Sequence, residues 1–377
     1  MERVTVAAVG DITPGFDPLE KGFEYVMEPL RSADVRFAQS ERAFSERGTY
    51  QQSAGSMHSR KHPRLAAAFK TVPFDVLSIC SNHTGDFGPE AVEDTIDTFR
   101  ALDIATVGAG RTIAEARKPA IIARKGLRIA FLGYVSVIPP QYWATENRAG
   151  SAPMRAHTFY EPYEFQPGAP ARVVTVPHAA DVEQLVRDVK QAKQDADLVF
   201  VSLHWGVHNV QRPCDYQPIV AHAAIDAGAN AILGHHAHLP QGIEIYKGAV
   251  IFYCIGNFSS YKAGQKKGPD YCMPVGEYLQ RDVYSFEPDP GLVFEHQRHY
   301  NEGGIAFIDV DRDGIARVSY MPIVMNEFGQ PLMVRPNEPQ FEKSLTYLNW
   351  AGKFISGGIT QIKAAGGRYE VYARASA

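Results

Sequence analysis

Residues 226–238 read DAGANAILGHHAH. Within them Ala231 to Leu233 form a short apolar run of the kind buried in a sheet covered on both faces, and Gly234, His235, His236, Ala237 and His238 follow at once. Three imidazoles in four residues at a strand end are seldom needed for packing. They suit metal ligation, because a neutral imidazole is a good donor to transition metals.

The same juxtaposition recurs upstream. Val4 to Val9, Val76 to Ile79, Arg128 to Val135 and Leu198 to Leu203 are further apolar runs, and Gly10 with Asp11, Ser81 with Asn82 and His83, and His204 stand just beyond three of them. In an α/β sheet, groups past the carboxyl ends of strands converge on one rim, where such folds place ligands. Singly, each has a bland explanation: Asp11 could cap a turn, Asn82 could serve one equally well, and His204 could be a satisfied core histidine. Together they offer imidazoles and carboxylates, a mixed set that argues for manganese, zinc or iron rather than magnesium or calcium.

Between the strands lie helical patterns. Val92, Ile96, Phe99 and Leu102 recur at helical spacing after Pro89, as do Val182, Leu185, Val186 and Val189; both read as cover for the sheet. Later, Ile243–Tyr246 and Val250–Tyr253 flank Lys247 and Gly248, and Ile305–Asp309 and Ala316–Met321 flank Asp311 to Gly314. These are hairpin signals, and they predict a second, more antiparallel sheet layer. Two long stretches rich in Pro, Gly and Tyr, Pro139 to Pro177 and Ser259 to Gly304, predict loops over a binding site. The tail from Pro339 predicts a helix carrying Leu345, Leu348, Trp350 and Phe354, then a strand around Tyr369 to Tyr372. The domain reading is one main unit over residues 1–338, with 339–377 packed on it.

With 377 residues, 45% hydrophobic and 21% charged, the chain has ordinary globular composition. A net charge of −4 with no dense Lys/Arg stretch excludes nucleic acid as an expected partner. Cys80, Cys214, Cys254 and Cys272 form no CxxC pair and read as reduced thiols. No stretch approaches about 18 consecutive apolar residues, and the first strand starts almost at Met1, so the expectation is a cytoplasmic chain without signal peptide or membrane span.

Val9–Asp11, Phe37–Glu41, Phe74–Asp86 (FDVLSICSNHTGD), His204–Gly206 and Asp226–His238, in this order, resemble the CapA/PgsA family of capsule and poly-γ-glutamate synthesis, within the calcineurin-like metallophosphoesterase superfamily. Gly108–Gly110 and Ile255–Phe258 add to the match. The resemblance implies a four-layer α-β-β-α sandwich of the metallo-dependent phosphatase type. It implies one or two divalent transition metal ions, with Asp11 and His238 on one, Asn82, His204 and His236 on the other, and Glu41 between them. His83 would be the general acid or orient the substrate, and His235 would stand behind the ligands. Three departures stand out. Thr13 occupies the place of a usual histidine ligand, leaving a mononuclear site open. Gln39 and Ser40 precede Glu41 where Asn-Leu is usual, and His208 with Asn209 replaces a usual Glu-Tyr pair.

Several other signals fall away. Gly108–Ala109–Gly110 lacks the third glycine of a dinucleotide fingerprint. Asp309, Asp311 and Asp313 mimic a calcium loop, but Tyr320 stands where its final Glu belongs. No serine sits in a Gly-x-Ser-x-Gly elbow. The cluster His58, Arg60, Lys61, His62 reads either as a solvated face or as recognition of an anionic group, with Arg60 and His62 the leading candidates and Arg42, His208 and Arg212 beside them. The functional expectation is a metal-dependent hydrolase of an amide or peptide-like bond, on a small-molecule or peptide-like substrate. Its alternatives are a phosphoesterase and a nonenzymatic component of polymer biosynthesis.

Overall fold

The computed structural model describes residues 2–51, 60–162, 164–168, 171–261, 299–355 and 360–375. Two mixed sheets dominate it. In the first, Val4–Thr13, Val35–Ser40, Val76–Ser78 and Ala105–Val107 run parallel, while Glu302–Asp311, Gly314–Met325 and Arg368–Ala373 continue the sheet antiparallel from the other side of Val4–Thr13. The second is ordered Ile243–Tyr246, Ala249–Phe252, Ala231–His235, Leu198–His204, Leu127–Val135, Ala120–Arg124, with a parallel centre and antiparallel edges.

The hairpins form where Lys247–Gly248 and Asp311–Gly314 announced them, but they do not make a sheet of their own. One extends the second sheet and the other is built into the first. The reason lies in burial: every residue of Ala249–Phe252 and most of Glu302–Asp311 are buried, so both needed a covered position rather than a solvent-facing layer.

Alternate residues of the two sheets fill one core. Val6, Ala8 and Phe37 from the first meet Ile129, Phe131, Phe200 and Leu233 from the second. Phe37 stacks on Phe131 with ring centroids 5.6 Å apart, and Phe131 meets Phe200 edge-on at 5.5 Å. The opposite face of the first sheet is covered by the helix Pro89–Ala101 through Val92, Ile96 and Phe99. That of the second is covered by Ala179–Asp195 through Leu185 and Val189, and by Tyr216–Asp226 through Val220, Ala224 and Ile225. The helix Pro339–Ala351 and the strand Arg368–Ala373 join the shared core through Tyr347, Leu348, Trp350 and Tyr369.

Two expected loops behave differently. Within 139–177, Ala156–Pro162 and Ala171–Pro177 pair as a largely exposed antiparallel ribbon, both being supplied with strand formers (Thr158, Phe159, Tyr160; Val173, Val174, Thr175, Val176). Most of Ser259–Gly304 lies outside the described residues, as do His58 and Cys272; its ends form the strand Asn257–Ser260 and the start of Glu302–Asp311. Cys80, Cys214 and Cys254 are buried free thiols. Among the described residues, no helix is long and apolar enough to cross a membrane.

Candidate metal centre

Because the parallel strands of both sheets point their carboxyl ends the same way, side chains from the two sheets meet at one rim. Asp11 sits at a bulge of the first strand, where the pairing register shifts against both neighbours. Gly10 has no room for a Cβ, which would fall 1.7 Å from the Gly256 carbonyl oxygen. That close approach lets Asp11 N donate to Gly256 O at 3.2 Å and fixes the carboxylate in place.

From the second sheet, His236 N donates to Asp11 Oδ2 at 3.3 Å. His236 and His238 both have left-handed backbone, with φ of 91° and 58°. Such conformations strain L-residues and concentrate at functional sites. They turn the two imidazoles into the space between the sheets.

One group of donors comprises Asp11, Glu41 and His238, whose ligand atoms lie within 4.8 Å of one another. His238 Nε2 is 3.1 Å from Glu41 Oε1 and its Nδ1 is 3.3 Å from Asp11 Oδ2. A second group comprises Asn82 Oδ1, 2.9 Å from His204 Nε2, and His236 Nδ1, 3.2 Å from the same nitrogen. Donors that share an ion at bonds of about 2.0–2.2 Å stand roughly 3.4 Å apart at a tetrahedral angle, so both groups have the right spacing.

The hydrogen bonding points the same way. Asp11 Oδ1 and Glu41 Oε1 are buried without a hydrogen-bond partner, although His235 Nδ1 is 3.5 Å from the first and His238 Nε2 is 3.1 Å from the second. The atoms approach one another without the alignment of a hydrogen bond, as groups do when they converge on a common point. A buried polar atom left unmatched is costly, and a cation would satisfy both carboxylates. The residues therefore fit a divalent metal.

Electrostatics agree. Burial acts to raise Glu41, yet the charges of His238 and Arg42 win and hold it well below the usual carboxylate range. Burial would lower His238, but Glu41 and Asp11 hold it well above the usual histidine range. Asp11 is raised, chiefly by burial, with Glu41 adding to it. His204 and His236 are pushed well down by burial, and His235 and His208 to about 3 for the same reason, so these four imidazoles are neutral and able to ligate.

The surroundings hold this arrangement in place. Thr13 Oγ1 donates to Glu41 Oε2 at 3.3 Å, and Ser81 Oγ donates to the Glu41 carbonyl at 2.8 Å. Thr84 Oγ1 accepts from Ser81 N at 2.7 Å and pins the loop that carries Asn82 and His83. His83 Nδ1 lies 2.7 Å from Asp86 Oδ2, and Tyr142 OH donates to Asp86 Oδ1 at 3.4 Å. The His208 ring lies tilted against that of His236 with centroids 3.9 Å apart.

Of the residues singled out from the sequence, Asp11, Thr13, Glu41, Arg42, Asn82, His83, His204, His208, His235, His236 and His238 lie in or against this centre. Arg60, His62 and Arg212 are brought to it by no contact among the described residues. Arg60 lies over the Phe87 ring and donates to Arg47 O, His62 accepts from Arg64 N and pairs with Glu46, and Arg212 is exposed.

Asn257 is a residue that sequence reasoning missed as part of the site. Its Oδ1 is 2.8 Å from His238 Nδ1, and its Nδ2 donates to His238 O and Tyr300 O. Asp86 was named only as the end of the Phe74–Asp86 run and Lys61 only within the His58–His62 cluster, neither with a role of its own; the signal for Asp86 was its place three residues after His83.

Comparison with known proteins bears on this arrangement. Residues 5–262, more than half of the chain, match the family described as "Bacterial capsule synthesis protein PGA_cap". The PGA biosynthesis protein CapA of Bacillus subtilis is 31% identical over 237 residues, 63% of this chain and 56% of that protein. The capsule biosynthesis protein CapA of Bacillus anthracis is 29% identical over 267 residues, 68% of this chain and 60% of that protein. A probable polyglutamine synthesis accessory protein of Mycobacterium tuberculosis is 28% identical over 203 residues, 52% of this chain and 48% of that protein. The chain thus spans under two thirds of the length of these relatives. With a family match that runs from the first strand past His238 and through Asn257, this chain belongs to the bacterial capsule synthesis PGA_cap family.

Proposed function

We propose that the chain is a metal-dependent hydrolase acting on an amide or peptide-like bond, of the γ-glutamyl type that the resemblance to the capsule and poly-γ-glutamate synthesis family suggests. The observation that carries the reading is the convergence of Asp11, Glu41 and His238, with unmatched buried carboxylate oxygens, beside Asn82, His204 and His236. In this reading the two helix-covered sheets are the α-β-β-α sandwich of the metallo-dependent phosphatase type. Residues 1–338 form the hydrolase domain and 339–377 pack on it.

Asp11 and His238 would hold one manganese, zinc or iron ion, Asn82, His204 and His236 a second, and Glu41 would lie between. A bound ion of this kind lowers the pKa of water to about 7 and polarises a carbonyl. The chain's own groups do the rest. Asp86 accepts from His83 Nδ1, which orients the ring and makes Nε2 the nitrogen that hands a proton to the departing amine. Tyr142, donating to the other Asp86 oxygen, keeps that carboxylate in position. Asn257 holds the His238 ring, so that Nε2 faces Glu41.

The test is parallel assay of the purified chain, with manganese or zinc, on γ-glutamyl anilides and on aryl phosphates. The expected result is amide cleavage that His83→Ala abolishes while metal content stays, and that His236→Ala abolishes together with the metal. Turnover of phosphates alone would replace this reading with a phosphoesterase. Absence of both metal and turnover would favour a nonenzymatic role in polymer synthesis.

A further inference from the structure

We propose that Arg42 and Lys61 form a carboxylate-binding subsite beside Asp11, Glu41 and His238, which selects substrates bearing a free carboxylate next to the bond to be cut. That the bound molecule is also cleaved rests on the hydrolase reading; that it is bound does not.

Arg42 follows Glu41 directly at the end of the Val35–Ser40 strand. Its side chain is only 13% exposed, and Nε and Nη1 are buried with no hydrogen-bond partner. The nearby carboxylate is Glu41, whose Oε2 is 3.8 Å from Nη2, beyond hydrogen-bonding reach. Glu41 Oε2 already accepts from Thr13 Oγ1. A guanidinium that keeps its charge under nearly all conditions is thus held inside the protein with most of its donors unspent.

Lys61 is brought alongside by the backbone. Its N–H donates to Ala43 O at 2.8 Å and its carbonyl accepts from Ser45 N at 3.0 Å, so the two segments run side by side just beyond Arg42. Burial, and then the Arg42 charge, push the Lys61 ammonium down, while the Glu41 carboxylate acts the other way without reversing it. Among the described residues, no carboxylate pairs with it. Two cations whose charges act on each other are costly to hold together, and a further anion within reach of both reduces that cost.

The donor set indicates which anion. An arginine with unspent donors and one neighbouring ammonium match the planar two-oxygen face of a carboxylate. A phosphoryl group spreads charge over three equatorial oxygens and calls for donors on every side. A γ-linked glutamyl unit carries such a free carboxylate near its amide, which is the chemistry this subsite would read.

The experiment is calorimetric titration of the full-length, metal-loaded protein with γ-glutamylglutamate, with the same dipeptide having its α-carboxylates converted to amides, and with inorganic phosphate. Wild type, Arg42→Gln, Lys61→Gln and the double variant are compared, with metal content and thermal unfolding recorded for each. The acid is expected to bind about 10- to 100-fold more tightly than the amide, the range of a charge-assisted pair. Each single variant should reduce that ratio, and the double variant should erase it with metal content unchanged. Equal affinities for acid and amide in the wild type would overturn the proposal even if a variant failed to fold. So would an undiminished ratio in folded variants, or phosphate binding more tightly than the acid. Failure of the hydrolase reading would show separately, as preferential binding of the acid without turnover by the wild type.

Discussion

Replacing Asn257 by leucine removes a side chain that holds three groups at once: His238 Nδ1 at 2.8 Å, His238 O at 3.2 Å and Tyr300 O at 2.9 Å. Asn257 is 3% exposed, so water does not replace what is lost. Two carbonyls lose a donor at about 1 kcal/mol each, giving roughly 2 kcal/mol of stability. Loss of the partner that orients a ligating imidazole weakens metal binding about 10- to 100-fold, equivalent to roughly 1.4–2.8 kcal/mol. Asn257→Asp keeps an acceptor for Nδ1 but not the two donated bonds, so it should lose stability while holding metal within about threefold of wild type. The assay is competition of each protein with a chelator for zinc or manganese, alongside denaturant unfolding of the metal-free forms. If Asn257→Leu holds metal as tightly as wild type, His238 is not positioned by Asn257 for ligation and the geometry has been misread.

Three further outcomes follow from the packing and the charges. Phe37→Ala, which removes the ring stacked on Phe131 between the sheets, should cost about 3–5 kcal/mol in urea unfolding; a loss under about 1 kcal/mol would mean the sheets do not share that core. Burial lifts the Cys80 and Cys254 thiols from 9.0 to about 12. At pH 8 their alkylation in the folded protein should therefore be about 10³-fold slower than in urea, and comparable rates would contradict their burial. Asp181 is depressed below 3.8, because the hydrogen bonds and charge of Arg155 outweigh the opposing effect of burial. Its folded pKa lies below its unfolded one, so the stabilisation is present at neutral pH and fades as pH falls through the depressed value. Asp181→Asn should cost roughly 1 kcal/mol at pH 7, discounted for the partly exposed Arg155, and progressively less as the pH falls through the depressed value; a difference that does not shrink in acid would refute the ion pair.

The strand-end signals were readable because their chemistry sits in one short window: an apolar run, then His-x-His, or Gly-Asp, or Asn-His. The helix Pro89–Ala101 was readable from Pro89 and the spacing of Val92, Ile96 and Phe99. Tyr216–Asp226 was not, since Pro218 reads as a breaker although it occupies the first turn, where no N–H is needed, and its apolar residues show no clean stripe. The long-range placements were harder still. Asn257 enters the centre because Asn257–Ser260 adds in parallel alongside Asp11 to Thr13 of the first strand, and nothing local to Asn257 announces that partner. Lys61 is set beside the segment after Arg42 by long-range backbone bonds to Ala43 and Ser45, which nothing local announces, and its neighbours Arg60 and His62 stood out instead. The exposed ribbon Ala156–Pro177 was hidden by its polar, Pro- and Gly-rich composition, which marks a loop as readily as a solvated hairpin.

The central claim is that Asp11, Glu41 and His238, with Asn82, His204 and His236, form a transition-metal site. It is tested most directly by measuring bound metal in the purified chain without chelators, in the wild type and in His236→Ala and His238→Ala. The account predicts about one to two manganese, zinc or iron ions per wild-type chain, with clear loss in each variant. Less than about 0.1 ion per wild-type chain after added manganese or zinc, or a content that neither substitution lowers, would contradict it.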